Sequence, residues 1–300
     1  MITFKCKNCG GEVSINAAGD LLCPYCGTKA NFSDAELRGY REFRSSMLQY
    51  LASVASNKDK ETDAEYIWKL SESVSFETND GTEITINYIY QCEDNSIKMY
   101  AARNSVIYIF PRAKAELAEM ALRNVSSLTY PSADMKDLRR LVPELKGHYI
   151  LSDGSVMLVY NKPENLFPLP LFGALEYVHV AWIVSRLENI ACLLAFNNVV
   201  HGDITPDTLF INPKSHEVTL MGGWWNMEKG YSERDLKDLR KTAKLLLSDY
   251  FKDIPKMFKD FLDGRPKNDA FKDFEYWDYV IENGLGGRHF HVLSADKILE

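Results

Sequence analysis

The run Val199-Val200-His201-Gly202-Asp203-Ile204-Thr205-Pro206-Asp207-Thr208-Leu209-Phe210-Ile211 sets a polar loop, with one histidine and two carboxylates, between two short apolar stretches. Upstream, His179–Phe196 reads as a long helix; downstream, His216–Met221 reads as a strand. Beyond Pro170 the pattern is predominantly helical, and Asp235-Leu236-Lys237-Asp238-Leu239 followed by Leu245–Leu247 predicts a further helix. On the N-terminal side, β-rich runs alternate with turn signals. Val74–Glu77, Ile84–Tyr90, Ile97–Ala101 and Val106–Phe110 are separated by Asn79-Asp80-Gly81, Glu93-Asp94-Asn95 and Arg103-Asn104, which predicts an antiparallel meander. A helix at Lys114–Ser126 and strands at Gly147–Leu151 and Val156–Tyr160 complete this region.

The 199–211 run resembles the protein-kinase catalytic loop, H-R-D-L-x-x-x-N, together with the strand that follows it. The order of parts, a small β-rich lobe with one helix and then a larger helical lobe, is also that of a protein kinase. The resemblance covers about residues 70 to 293. It implies that Asp235 opens the central helix of the large lobe and hydrogen-bonds the backbone of the catalytic loop.

Phosphoryl transfer from ATP requires a cover over the phosphates, a lysine on the third strand paired with a helix glutamate, two metal ligands and a base. The turn Gln91-Cys92-Glu93-Asp94-Asn95-Ser96 has no glycine, and its two carboxylates repel phosphate. Val106-Ile107-Tyr108-Ile109-Phe110 supplies no lysine, which leaves the candidate helix residue Glu119 without its partner; Lys98 and Lys114 are the nearest substitutes. Thr208 stands where the family has asparagine, and Met221-Gly222-Gly223 stands where D-F-G is expected. Only Asp203 remains at a position that carries chemistry. The resemblance is therefore to a degenerate kinase, a pseudokinase, with Asp203 vestigial, no confident catalytic residue, and neither ATP nor Mg²⁺ expected. Trp224 and Trp225 beside the cleft are read either as core or as an apolar filling of the nucleotide site.

Four of the six cysteines lie near the N-terminus as Cys6-x2-Cys9 and Cys23-x2-Cys26, the two-pair spacing of a structural zinc site. Gly10 and Gly27 permit the positive-φ turn that each knuckle needs. Four thiolates close a tetrahedral shell and leave no open position, so the metal is expected to be structural. A redox dithiol and a pair of disulfides are the other uses of such spacing. Residues 1–30 resemble a short zinc ribbon. Ser33 and Glu36 form a capping box that starts a helix reaching about Ala55, with Arg38, Arg41 and Arg44 on one face, and Asn57–Asp63 reads as a linker.

The expected fold is thus α+β: a small zinc ribbon with four cysteine ligands at 1–30, a connecting helix and linker at 31–63, and a bilobal kinase-like domain at 64–300. Its small lobe spans about 70–160 and its large lobe about 161–300. Composition agrees with a folded chain, since 46% of the 300 residues are hydrophobic and 26% charged. With 35 basic against 42 acidic residues, the formal charge of −7 opposes broad electrostatic adhesion to nucleic acid or anionic lipid. Met1–Lys7 shows no signal-peptide core, and Leu166–Val200 is interrupted by Glu176, His179, Arg186 and Glu188, so a buried helix, no membrane partner and a cytoplasmic location are expected. The functional expectation is a zinc-binding, non-catalytic interaction or regulatory scaffold with a protein partner. The alternatives are a nucleic-acid adaptor using the ribbon and the Arg38, Arg41, Arg44 face, and an atypical phosphotransferase using Asp203.

Overall fold

The computed structural model describes residues 4–6, 12–15, 21–23, 28, 68, 71–131, 136–289 and 293. Cys9, Cys26, the expected helix 33–55 with its arginines, and the linker 57–63 lie outside the described residues. Near the N-terminus, β1 (Phe4–Lys5), β2 (Glu12–Ile15) and β3 (Leu21–Leu22) form a sheet in that order. Both β1 and β3 run antiparallel to β2, so they run parallel to each other and finish at the same end of the sheet.

The predicted meander is present and larger than expected. β4 (Glu72–Glu77), β5 (Glu83–Asp94), β6 (Ile97–Ala102) and β7 (Ser105–Phe110) lead into α1 (Ala115–Ser126) and a single turn, α2 (Lys136–Arg139). β8 (Glu144–Ile150) and β9 (Val156–Asn161) then complete a six-stranded antiparallel sheet of order β4-β5-β6-β7-β9-β8. The anticipated turn at Glu93-Asp94-Asn95 is displaced. Asp94 still pairs with Ile97, and the chain reverses through Asn95 and Ser96, both at positive φ (48° and 65°).

Side-chain alternation gives this sheet two buried faces. Val106, Tyr108 and Phe110 of β7 join the main core beneath α1, whereas Ile107 and Ile109 join a second cluster with Ile86, Tyr88, Tyr100 and Met157. The second face is covered because the sheet curls until its two edges meet. Thr78 bridges Leu151, the Asn79 N–H donates to the Ile150 carbonyl at 2.9 Å, and the Ser152 N–H donates to Glu77 at 2.8 Å. Burial on both sides is why Val106–Phe110 is apolar throughout, each large aliphatic contributing about 1.5–3 kcal/mol.

The large lobe follows. β10 (Phe167–Pro168) precedes α3 (Tyr177–Phe196) and β11 (Val199–Val200); β12 (Leu209–Asn212), β13 (Glu217–Leu220) and β14 (Glu228–Lys229) lead to α4 (Glu233–Leu247), α5 (Lys256–Asp263) and α6 (Ala270–Gly284). Within the apolar stretch Leu166–Phe172, Phe167 and Pro168 pair with Ile211 and Phe210 in a three-stranded sheet of order β10-β12-β13. α3 is long and apolar enough to cross a membrane, yet it packs against α4 and α6 and buries even His179 and Glu188. Arg240 of α4 and Asp273 of α6 form a buried two-pronged ion pair (2.8 and 2.7 Å). Asp273 also accepts from the Lys267 N–H at 2.7 Å, so both charges are matched.

Candidate functional site

The loop between β11 and β12 is held from below by α4. Both carboxylate oxygens of Asp235, which is fully buried, accept from the loop backbone: the His201 N–H at 2.9 Å and the Gly202 N–H at 2.7 Å. Thr242, two turns along the same helix, donates to the Ile204 carbonyl at 2.7 Å. Burial pushes Asp235 up to about 6 against the pull of those two N–H donors. His201 is also fully buried, its ring edge-on to Trp224 at 4.8 Å, and burial drives its imidazole down to about 3, so it is neutral. The role the resemblance implies for Asp235 is the one it fills here.

Within the loop, Pro206 begins a short 3₁₀ turn capped by its own last residue. The Thr205 N–H donates to Thr208 Oγ1 at 3.1 Å, and that hydroxyl reaches the carbonyls of Asp203 (2.8 Å) and Thr205 (3.0 Å). Thr208, which the resemblance sets at the position of an asparagine, thus turns its hydroxyl into the loop backbone.

Opposite the loop, β7 presents Tyr108. It is only 4% exposed. A Cβ on Gly222 would stand 2.6 Å from the Tyr108 hydroxyl oxygen and 3.3 Å from Thr208 Cγ2. Gly222 thus stands between Tyr108 of β7 and Thr208 of the loop. Of the expected Met221-Gly222-Gly223, Met221 directly follows β13 and lies in the core. The phenol of Tyr108 packs edge-on against Trp225 (5.5 Å) and Tyr160 (6.1 Å). Trp225 also meets Phe110 at 5.2 Å, whereas Trp224 is core, its indole N–H donating to Leu220 at 2.8 Å.

Asp203 lies beside this group. Its Oδ2 is 3.5 Å from the Asn226 amide nitrogen; burial, reinforced by Asp94, Asp238 and Asp207, pushes its carboxyl up to about 6, with Arg234 opposing. Arg234 has no signature in the sequence as a site residue. Its guanidinium reaches the Gly202 carbonyl at 3.0 Å and fills the place a side chain on Gly202 would need, with Cζ 2.7 Å from the Cβ position. Gly202 has φ +74°, which suits glycine. Glu119 does not face the cleft: Ala118 and Ala121 point inward from α1, and Glu119 lies outside, 3.8 Å from His148 of β8. Neither lysine substitutes for the missing one, since Lys98 is exposed opposite Glu93 and Lys114 donates to the Asn95 carbonyl.

Of the four cysteines in the zinc reading, Cys6 and Cys23 are described, and both are buried although the sheet beside them has only three short strands. Each follows the last residue of β1 or β3, at the same end of the sheet, and the Cys23 N–H closes a turn onto the Thr28 carbonyl at 3.0 Å. Two buried thiols leaving one end of a small sheet fit two of the four positions of a thiolate zinc shell.

The sequence matches no protein-family model and no curated protein. Similar solved structures include the Rad53 kinase domain, 15% identical over 70% of this chain and 96% of that one, with a TM-score of 0.47. They also include vaccinia related kinase 3, 15% identical over 84% of this chain and 87% of that one, with a TM-score of 0.45. The fold is kinase-like by its own layout: a curled antiparallel sheet carrying one helix, then a helical lobe whose Asp235 clamps the loop 201–208.

Proposed function

We propose that this chain is a non-catalytic, zinc-binding pseudokinase that serves as an interaction or regulatory scaffold for a protein partner in the cytoplasm. The observation that carries this reading is the fit of Tyr108 over Gly222. A hydroxyl 2.6 Å from the Cβ position leaves no room for a side chain at Gly222, buried Met221 stands where a Mg²⁺-binding carboxylate is expected, and β7 offers a phenol where ATP phosphates require a cation. Thr208, turned into the backbone, adds to the same reading.

The test is a thermal-shift titration of the full chain with ATP, with and without Mg²⁺ or Mn²⁺, alongside a phosphoryl-transfer assay. A ligand that binds only the folded state raises its melting temperature. The expected outcome is no shift at millimolar nucleotide and no transfer above a metal-free control. A metal-dependent shift, with transfer abolished by Asp203→Ala, would overturn the proposal and establish the phosphotransferase reading, with Asp203 as base.

A further inference from the structure

Residues 162–166, between β9 and β10, carry the chain from the small lobe to the large one, and Lys162 ties them down. The residue is only 3% exposed, and its Nζ donates to three carbonyls: Arg103 at 2.7 Å, Pro163 at 3.1 Å and Glu164 at 3.4 Å. Burial pulls Lys162 down to about 7, with the charge of Glu164 opposing, so at pH 6 it carries three protons for its three acceptors. Arg103, in the β6–β7 turn, returns the link, its Nε and Nη2 lying 2.9 and 2.7 Å from Glu164 Oε1. The backbone closes the same site: the Lys162 N–H donates to the Asn104 carbonyl at 3.2 Å, and the Leu166 N–H to that of Pro163 at 3.2 Å.

The lid over this amine comes from elsewhere in the chain. Trp68 lies ahead of β4, in the segment leading from the cysteine-bearing sheet, and is 7% exposed. Its ring stacks on Phe167, the first residue of β10, with centroids 6.4 Å apart and 21° between planes. The Lys162 Nζ stands 5.3 Å from the Trp68 ring and 5.9 Å from that of Phe167. Carbonyls gathered on a buried amine stay gathered only while water is kept out, because water competes for donor and acceptors alike. Trp68 is that barrier on one side. Yet its own indole N–H is buried without a hydrogen-bond partner among the described residues, and the desolvation of that group weakens its docking. The ring is therefore seated closely enough to exclude water and loosely enough to release.

We infer that Trp68 is a releasable latch on the connection between the lobes. Seated, it keeps the Lys162 site dry and the connection rigid. Lifted with its segment, it admits water, frees the three carbonyls and makes the connection mobile. The device couples the N-terminal segment to the hinge between the lobes, whatever the cleft itself binds.

The test is hydrogen exchange of the full chain at pH 6, read at the amides of Lys162 and Leu166. Val280→Ala, in the large-lobe core, controls for a general loss of stability, and urea midpoints confirm that every variant folds. Trp68→Ala is expected to speed exchange at both amides at least about tenfold, Trp68→Leu at least about threefold, and Val280→Ala to leave them within about twofold. Lys162→Met keeps the aliphatic packing but has no donor, so it should speed both amides as well. Adding Trp68→Ala to it should then change them less than about twofold, because the lid has no amine left to shelter. Unchanged exchange in folded Trp68→Ala or Trp68→Leu, equal acceleration by Val280→Ala, or full additivity in the double variant would overturn the inference.

Discussion

Gly222→Ala, made both in the native chain and in a Tyr108→Phe background, tests how the cleft is closed. Gly222 does not occupy the left-handed region of backbone space, so the added methyl meets only neighbours. In the native chain that methyl would lie 2.6 Å from the Tyr108 hydroxyl oxygen, 3.3 Å from Thr208 Cγ2 and 3.4 Å from Tyr108 Cζ. Neither neighbour retreats easily: Tyr108 is pinned by Phe110, Tyr160 and Trp225, and the Thr208 hydroxyl is held by two loop carbonyls. Overpacking of this kind costs about 1–3 kcal/mol. Removing the hydroxyl leaves the ring carbon at an ordinary contact distance, so the same substitution should cost less than about 1 kcal/mol in the Phe background. Tyr108→Phe alone should be close to neutral, because it keeps the ring contacts with Phe110, Tyr160 and Trp225. The resulting coupling of about 1–2 kcal/mol would be read as a difference in urea midpoint on the order of 1 M between the two backgrounds. Equal midpoint losses in both backgrounds would refute the claim that the tyrosine fills this space.

Two further outcomes follow from buried groups elsewhere. Glu188 is fully buried, and burial, followed by the charge of Asp273, holds its carboxyl well above the ordinary value. A folded value above the unfolded one means that the stability from this neutral carboxyl is fully present below about pH 4.5 and is lost as pH rises through the folded value, at about 1.4 kcal/mol per pH unit. Glu188→Gln, neutral throughout, should therefore flatten the decline of melting temperature between about pH 5 and 8, and an unchanged slope would contradict the assignment. Metal analysis of the full chain should find about one zinc per chain, lost with Cys6→Ser or Cys23→Ser, while the unfolding transition of the kinase-like part stays in place. Zinc content unaffected by either substitution would remove the thiolate reading.

What the sequence disclosed depended on whether the deciding contact was local. The loop 201–208 and the helix beginning near Asp235 each carry their own pattern. The pairing between them follows from the resemblance, and the buried carboxylate accepting from two N–H groups is its outcome. Val106–Phe110 discloses only a strand. That Tyr108, rather than Ile107 or Ile109, faces the cleft depends on register against β6 and β9 and on what stands across the gap. Glu119 departs from its expected place for a related reason: small Ala118 and Ala121 turn inward on α1, and the glutamate is rotated out toward His148. The course of the loop has a physical cause that does not depend on its side chains. Asp235 and Thr242 bond the loop through its backbone, so the loop keeps its course whatever side chains it presents. The reacting positions are side-chain positions, and they are coupled: with Tyr108 over Gly222, a carboxylate at 222 cannot enter until the tyrosine leaves, and a smaller residue at 108 opens a cavity until 222 grows. Single substitutions at 108 or 222 are therefore opposed by packing.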